Sequence, residues 1–257
     1  MKKKPLISVI INCRNGEKFL NECVKSVLFQ SYKNWEIIFF DNKSVDKSLD
    51  KIKSFRDPRI KIFSNKSKSF LNLYEARNLA IKKSKGQYIT FLDVDDLWKK
   101  NKLIEQVKIL NNFPAYDIIY SNYHLLNIKK KKFTLRYKKK LPSGLITQEL
   151  LNDYCVGILT LFIKKKLLIK NKFNSRFNII GDFDLVIRLS KKYKIKAIQK
   201  SLAVYRLHSN NFSAKNLATY IQELSFWIKK NHKVKYNLFF LKYYLKKLKI
   251  KRIINFI

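Results

Sequence analysis

The chain has 257 residues, of which 46% are apolar and 14% aromatic, with only 5 Gly and 4 Pro. That is enough for one sizeable core and excludes a linker or low-complexity composition. The formal net charge of +38 draws a protein to polyanions such as nucleic acid, anionic lipid or acidic polysaccharide. Of the 56 basic residues 47 are lysine, whereas base readout favours arginine. The same lysine bias follows from an A/T-rich coding sequence.

Three cysteines, Cys13, Cys23 and Cys155, are odd in number and lack metal-ligand spacing, which fits a reducing compartment. The basic Met1–Pro5 segment precedes about seven strand-like residues and then polar ones, so no signal-peptide core is expected. No apolar stretch approaches the roughly 20 residues of a membrane-spanning helix. The expected location is cytoplasmic, with peripheral contact on the inner face of the membrane as the elaboration.

In chain order, Leu6–Ile11 reads as a strand. Phe19, Leu20, Cys23, Val24, Val27 and Leu28 recur at helical spacing, and Trp35–Phe40 forms a second strand ending in Asp41. Ser44 and Asp46 suit the cap of a short helix. Strand Ile60–Phe63, helix Leu71–Lys83, strand Tyr88–Leu92 and helix Lys99–Leu110 follow, then strand Ile118–His124 and a basic hairpin or loop over Lys129–Lys140. Asp182–Tyr193 reads as a helix, Ile195–Tyr205 as a strand, and the chain from Leu217 as helical. Alternating strands and helices imply a mostly parallel α/β sheet covered by helices, with ligands beyond the carboxyl ends of the strands. That rule brings 12–15, 41–46 and 93–96 onto one rim.

Three of the 18 acidic residues, Asp93, Asp95 and Asp96, crowd into four positions. A hard divalent cation relieves such crowding and leaves coordination positions open for phosphate; a solvated turn that starts a helix is the alternative use of the same triplet. Asp41 can accept from a base N–H, and Arg14 or Arg77 can meet phosphate. No Gly-x-Gly-x-x-Gly follows the first strand and no P-loop is present, which sets dinucleotide oxidoreductases aside.

The segments Pro5–Glu17, Ser26–Tyr32 and Trp35–Asp46, then Ala76-Arg77-Asn78 and Lys85–Asp96, resemble the opening of family 2 glycosyltransferases, closely over residues 5–125 and more loosely to about 213. The resemblance implies a GT-A type, Rossmann-like fold, a nucleoside-diphosphate sugar donor, most simply UDP-linked, and inversion at the anomeric carbon. It maps the donor pocket onto Asn12, Arg14, Glu17, Arg77, Asp41 and Asp93. It points to Asp95, with His208 from the Tyr205–Ser213 segment, as holders of a divalent metal, Mn2+ or Mg2+. The catalytic base falls on Asp182 of Ile180–Leu185, where many members carry Glu-Asp in place of Gly181-Asp182; Asp184 is the competing choice, and both also suit a helix start.

The domain reading is a catalytic unit over 1–213, with a donor half (1–125) and an acceptor half (126–213), and a C-terminal helical extension over 214–257. That extension has no acidic residue after Glu223, and ten Lys or Arg interleave with Trp227, Tyr236, Phe239, Phe240, Tyr243, Tyr244 and Phe256. Such a pattern suits an interfacial helix on an anionic membrane near a lipid-linked acceptor. The expected function is sugar transfer to a glycan or lipid-linked acceptor in surface polysaccharide assembly, with no specific nucleic acid as partner. A polyanion- or nucleic-acid-binding protein, a nucleotidyltransferase and an inactive sugar-nucleotide-binding relative are the competing readings.

Overall fold

The structure is a computed structural model that describes residues 4–232 and 236–254. Strand β1 (Ile7–Cys13), helix α1 (Glu17–Leu28), β2 (Trp35–Asp41), α2 (Ser48–Ser54), β3 (Ile60–Ser64), α3 (Leu73–Lys83) and β4 (Tyr88–Phe91) open the chain. A two-residue β5 (Leu97–Trp98) precedes α4 (Lys102–Asn112), β6 (Ile118–Asn127), β7 (Lys132–Leu135) and α5 (Thr147–Asn152). After a 3-10 turn at Ile158–Thr160 come β8 (Phe162–Lys164), α6 (Lys165–Lys170), α7 (Gly181–Ser190) and β9 (Ile195–Leu207). Helices α8 (Phe212–Lys215), α9 (Leu217–Lys230) and α10 (Phe239–Ile254) end it.

Among the described residues one sheet holds all nine strands in the order β3-β2-β1-β4-β8-β6-β9-β5, with β7 paired to β6. β3, β2, β1 and β4 are mutually parallel, as are β6 and β9, while β8 runs antiparallel between β4 and β6. The parallel half matches the sequence reading; the antiparallel strand that joins the two halves is too short for a periodicity signal. The hairpin expected over 129–140 is present as β6–β7, antiparallel from His124–Leu135 to Asn127–Lys132.

Period-two alternation along the strands explains the two-sided core. Ile7, Val9, Ile11, Ile37 and Phe39 face a cluster that includes Leu20, Cys23, Val24 and Val27 of α1, whereas Ile10, Ile38 and Phe40 face a second cluster. That second cluster takes in α3, α5, α6 and α7 and also Ile221, Leu224 and Trp227 of α9, Leu238 just before α10, and Leu241 and Leu248 of α10. Helices α9 and α10 therefore each pack one face into this core. Lys233, Lys235 and Phe256 of the basic, aromatic C-terminal pattern lie outside the described residues.

Candidate active site

The three polar segments meet at the carboxyl ends of β1, β2 and β4. Asn15, at φ 56, takes the left-handed conformation that asparagine tolerates. Its side chain accepts from the Val45 N–H at 2.9 Å, and its own N–H donates to the Ser44 hydroxyl at 3.0 Å. Ser44 is thus used on the rim and not as a helix cap. Asp46 accepts from the N–H groups of Glu17 at 2.9 Å and Ser48 at 3.0 Å, so one carboxylate serves the first turns of α1 and α2 together. Those bonds hold it below the usual carboxylate range against the opposing effect of burial. Gly16 is needed for closeness: a Cβ there would lie 2.8 Å from Val94 and 2.9 Å from the Cys13 sulfur.

Among the expected donor residues, Asn12 and Asp41 sit at strand ends in this rim. Both side-chain polar atoms of Asn12 are shut off from solvent and have no hydrogen-bond partner among the described residues, an arrangement that costs about 1 to 3 kcal/mol per group unless a ligand fills it. Asp41 is buried and accepts from the Ser44 N–H at 3.2 Å. Arg14 is exposed, with its guanidinium stacked 3.6 Å from the Phe70 ring centre. Glu17 is taken up locally, accepting from the Lys47 N–H and pairing with Lys51 at 3.3 Å. Arg77, in α3, is buried and ion-paired to Asp93, the first carboxylate of the acidic segment.

The aspartate segment divides three ways. Asp93 faces Arg77. Asp96 is fully buried and accepts from the Arg206 N–H at 3.0 Å, and burial drives its carboxyl well above the usual range. Asp95 lies 3.0 Å from His208 Nε2, with the Asn211 amide at 3.4 Å from the same oxygen. Burial and the neighbouring Asp93 push the Asp95 carboxyl up, so a nearby positive charge is strongly favoured. Among the described residues no three acidic, histidine or cysteine side chains converge on one point. One carboxylate and one imidazole nevertheless fit an ion that takes its other ligands from diphosphate and water. Arg206, buried at the end of β9, donates to the Asp95 carbonyl and pairs with Glu22 of α1.

Asp182 stands in the first turn of α7. It accepts from the Phe183 N–H at 2.9 Å and lies 3.2 Å from the Tyr74 hydroxyl, whose single proton it shares with the Ile179 carbonyl at 2.6 Å. Burial raises its carboxyl above 3.8, only partly opposed by Arg77. Asp184 points elsewhere: it binds Arg188 at 2.8 Å and accepts from the Trp227 indole at 3.0 Å. Gly181 fits because a Cβ there would lie 2.5 Å from the Tyr74 ring. Beside Asp182 opens a cavity of about 460 Å3, whose lining includes Tyr123, Arg136, Tyr154, Leu224, Phe240 and Tyr244.

Sequence reasoning passed over Tyr74, Asn211, Arg206 and Glu223. Arg206 and Asn211 lie in the quoted 205–213 segment, so the signal was adjacent; Tyr74 and Glu223 act on residues far along the chain and leave no local pattern.

Comparison with known proteins agrees with this geometry. The model of glycosyl transferase family 2 matches residues 8–179. The UDP-Glc:alpha-D-GlcNAc-diphosphoundecaprenol beta-1,3-glucosyltransferase WfgD of Escherichia coli is 32% identical over 213 residues, covering 81% of this chain and 80% of that protein. The fold is similar to that of Staphylococcus aureus TarS in complex with UDP-GlcNAc, with TM-score 0.70 at 15% identity over 94% of this chain and 71% of the other. It is also similar to the Pyrobaculum calidifontis mannosyltransferase PcManGT in complex with GDP-Man and Mn2+, with TM-score 0.67 at 14% identity over 95% and 70% of the two chains. A family match across the strands that build the rim, and a relative aligned over most of both chains, establish that this chain belongs to glycosyl transferase family 2 and is a glycosyltransferase.

Proposed function

We propose that the enzyme moves a sugar from a UDP-linked donor to a lipid-linked glycan of surface polysaccharide assembly, with inversion at the anomeric carbon. The observation that carries this reading is that Asp95 pairs with His208 at the rim while Asp182, close enough to Arg77 and Asp93 to feel their charge, lines the adjoining cavity. Asn12 and Asp41 would hold the nucleoside, the orphaned Asn12 amide finding its partners there, with Arg14 on its Phe70 platform at the edge. Asp95 and His208 would hold Mn2+ or Mg2+, which supplies positive charge to the departing diphosphate. Asp182 takes the proton of the acceptor hydroxyl; that oxygen bonds to the anomeric carbon as the bond to the diphosphate oxygen breaks, and its electron pair leaves with the diphosphate. A carboxyl held above its ordinary value by burial is the stronger proton acceptor once ionised. WfgD supports the acceptor class by its name and PcManGT the metal, as properties of those proteins.

Calorimetric titration of UDP with and without Mn2+ tests the donor half. Binding should depend on the metal and weaken at least about tenfold in Asp95→Asn, the order of one charge-assisted contact. Absence of nucleotide binding, together with tight and salt-sensitive oligonucleotide binding, would overturn the assignment.

A further inference from the structure

The chain from Arg206 to Asn211 is bonded to the acidic segment more densely than its strand requires. β9 already pairs with β5 at Trp98–Ala203 and Leu97–Val204, and with β6 as far as Asn127–Leu207. Side chains add a second layer of bonds around the Asp95–His208 pair. On the Asp95 side, the buried Arg206 guanidinium donates to the Asp95 carbonyl, while the Arg206 N–H donates to the Asp96 carboxylate at 3.0 Å. On the His208 side, the buried Asn211 side chain accepts from the His208 N–H at 2.7 Å and donates to the Arg206 carbonyl at 3.0 Å. These two bonds fix the orientation of the amide, since a flipped one would set donor against donor and acceptor against acceptor. So oriented, its nitrogen also reaches the Asp95 carboxylate at 3.4 Å. Helix α1 closes the arrangement. The centre of the Phe19 ring lies 4.5 Å from the Arg206 guanidinium carbon and 4.9 Å from the centre of the His208 ring, and Glu22 pairs with Arg206. One terminal nitrogen of Arg206 is shut off from solvent with no partner among the described residues, a cost that a residue kept for stability alone has no reason to carry.

We propose that Arg206 and Asn211 are positioning residues of the cation site, which hold Asp95 and His208 at the separation that lets one divalent ion join carboxylate, imidazole and diphosphate. The inference rests on the reading of Asp95 and His208 as the ion's protein ligands and adds what sets their spacing. With only two protein ligands the site cannot draw an ion by ligand number, so its affinity depends on the pair being held in place before the ion arrives. Arg206 acts on the backbone of Asp95 and Asn211 on that of His208, so neither needs to touch the ion. The planar guanidinium fork lets one side chain span the acidic segment and α1, whereas a lysine ammonium offers a point charge without that reach.

Binding of Mn2+ is followed by the electron paramagnetic resonance of the free ion, in the presence of UDP, on the full chain and on Arg206→Lys and Asn211→Ala. Each variant should bind Mn2+ about 10 to 100 times more weakly than the parent, the range typical of losing an outer partner of a metal ligand. Activity is then measured against Mn2+ concentration. Excess Mn2+ should bring kcat of both variants back toward the parent value, because the two ligands are displaced and not removed. A defect of the fold would instead leave a loss that no Mn2+ concentration repairs. Arg206→Lys, the milder change, carries the test should Asn211→Ala fail to fold. Unchanged Mn2+ affinity in the variants, or a fall in kcat that saturating Mn2+ leaves in place, overturns the inference. A parent that binds no Mn2+ with UDP would take down the ion reading as well, whereas a binding parent with unaltered variants removes the positioning role alone.

Discussion

Tyr74 and Gly181 form one unit at the residue scale. The ring occupies the space a side chain at 181 would need, and its hydroxyl reaches Asp182. Gly181→Ala should push the ring aside, lowering stability by about 1 to 3 kcal/mol in urea denaturation and reducing turnover, because the Tyr74 bond to Asp182 is lost with it. The pH dependence has a definite sign. Asp182 accepts a proton only when ionised, and burial raises its pKa above 3.8, so the acid limb of kcat/KM should lie above the ordinary carboxylate range. The Tyr74 bond favours the ionised form; Tyr74→Phe should therefore move that limb further up, a shift that loss of packing alone does not produce. A carboxyl whose folded pKa is raised adds stability only below the unfolded value, and that contribution is lost as pH rises through the folded value. At neutral pH Asp182→Asn should thus fold at least as stably as the parent while losing about 10² to 10⁴ in kcat. Equal loss of stability and rate would point to a structural carboxylate instead. Asp41 was legible as the end of a strand, whereas Asp95 and Asp182 were singled out by the resemblance of their segments to family 2 motifs. Tyr74 was not, because its partner lies 108 positions away.

At the scale of elements, α9 holds the entrance to α7. Glu223 accepts from three successive N–H groups, of Asn178 at 2.5 Å, Ile179 at 3.0 Å and Ile180 at 3.1 Å, in the turn just before Asp182. One turn along, Trp227 donates to Asp184 at 3.0 Å and lies edge-on to Phe183, centres 5.0 Å apart. Helix α9 thus grips both sides of Asp182, the proposed base. Glu223→Gln keeps the shape but offers one acceptor oxygen to three donors, so it should cost about 2 to 3 kcal/mol in denaturation. It should lower kcat with UDP binding unchanged; an equal fall in UDP affinity would show that α9 supports the whole molecule and not the base in particular. Reading 214–257 as an extension follows from its composition, since the basic and aromatic run after Glu223, which has no acidic residue, looks unlike the α/β half. Its buried face, Ile221, Leu224, Trp227 and Ile228, is set by helical spacing, but the partner surface comes from α7 and α10, which spacing cannot name. The antiparallel β8 escaped for a related reason: three residues inside an apolar run carry no period.

Over the whole molecule, the charge of +38 attracts any anionic surface, so membrane association has to be separated from plain electrostatics. Helix α10 supplies the means. Its Leu238 flank, Leu241 and Leu248 are buried, while Phe239 is 64% and Tyr243 52% exposed among lysines 242, 246, 247 and 249. Among the described residues no helix is long and apolar enough to cross a membrane, and an amphipathic basic helix instead lies in the interface. Charge alone gives attraction that decays within a Debye length, about 8 Å at physiological salt and about 3 Å at 1 M. Aromatic side chains entering the interface add a contribution that salt does not screen. Co-sedimentation with phosphatidylglycerol vesicles should therefore fall with added salt but keep a residual fraction that Phe239→Ser with Tyr243→Ser removes. Neither ring lines the cavity beside Asp182, so UDP binding and kcat on a detergent-solubilised acceptor should be unchanged in that double variant. Binding that salt abolishes completely, and that the double substitution leaves alone, would mean that the lysines merely coat the surface and that α10 serves the protein only as a wall of its core.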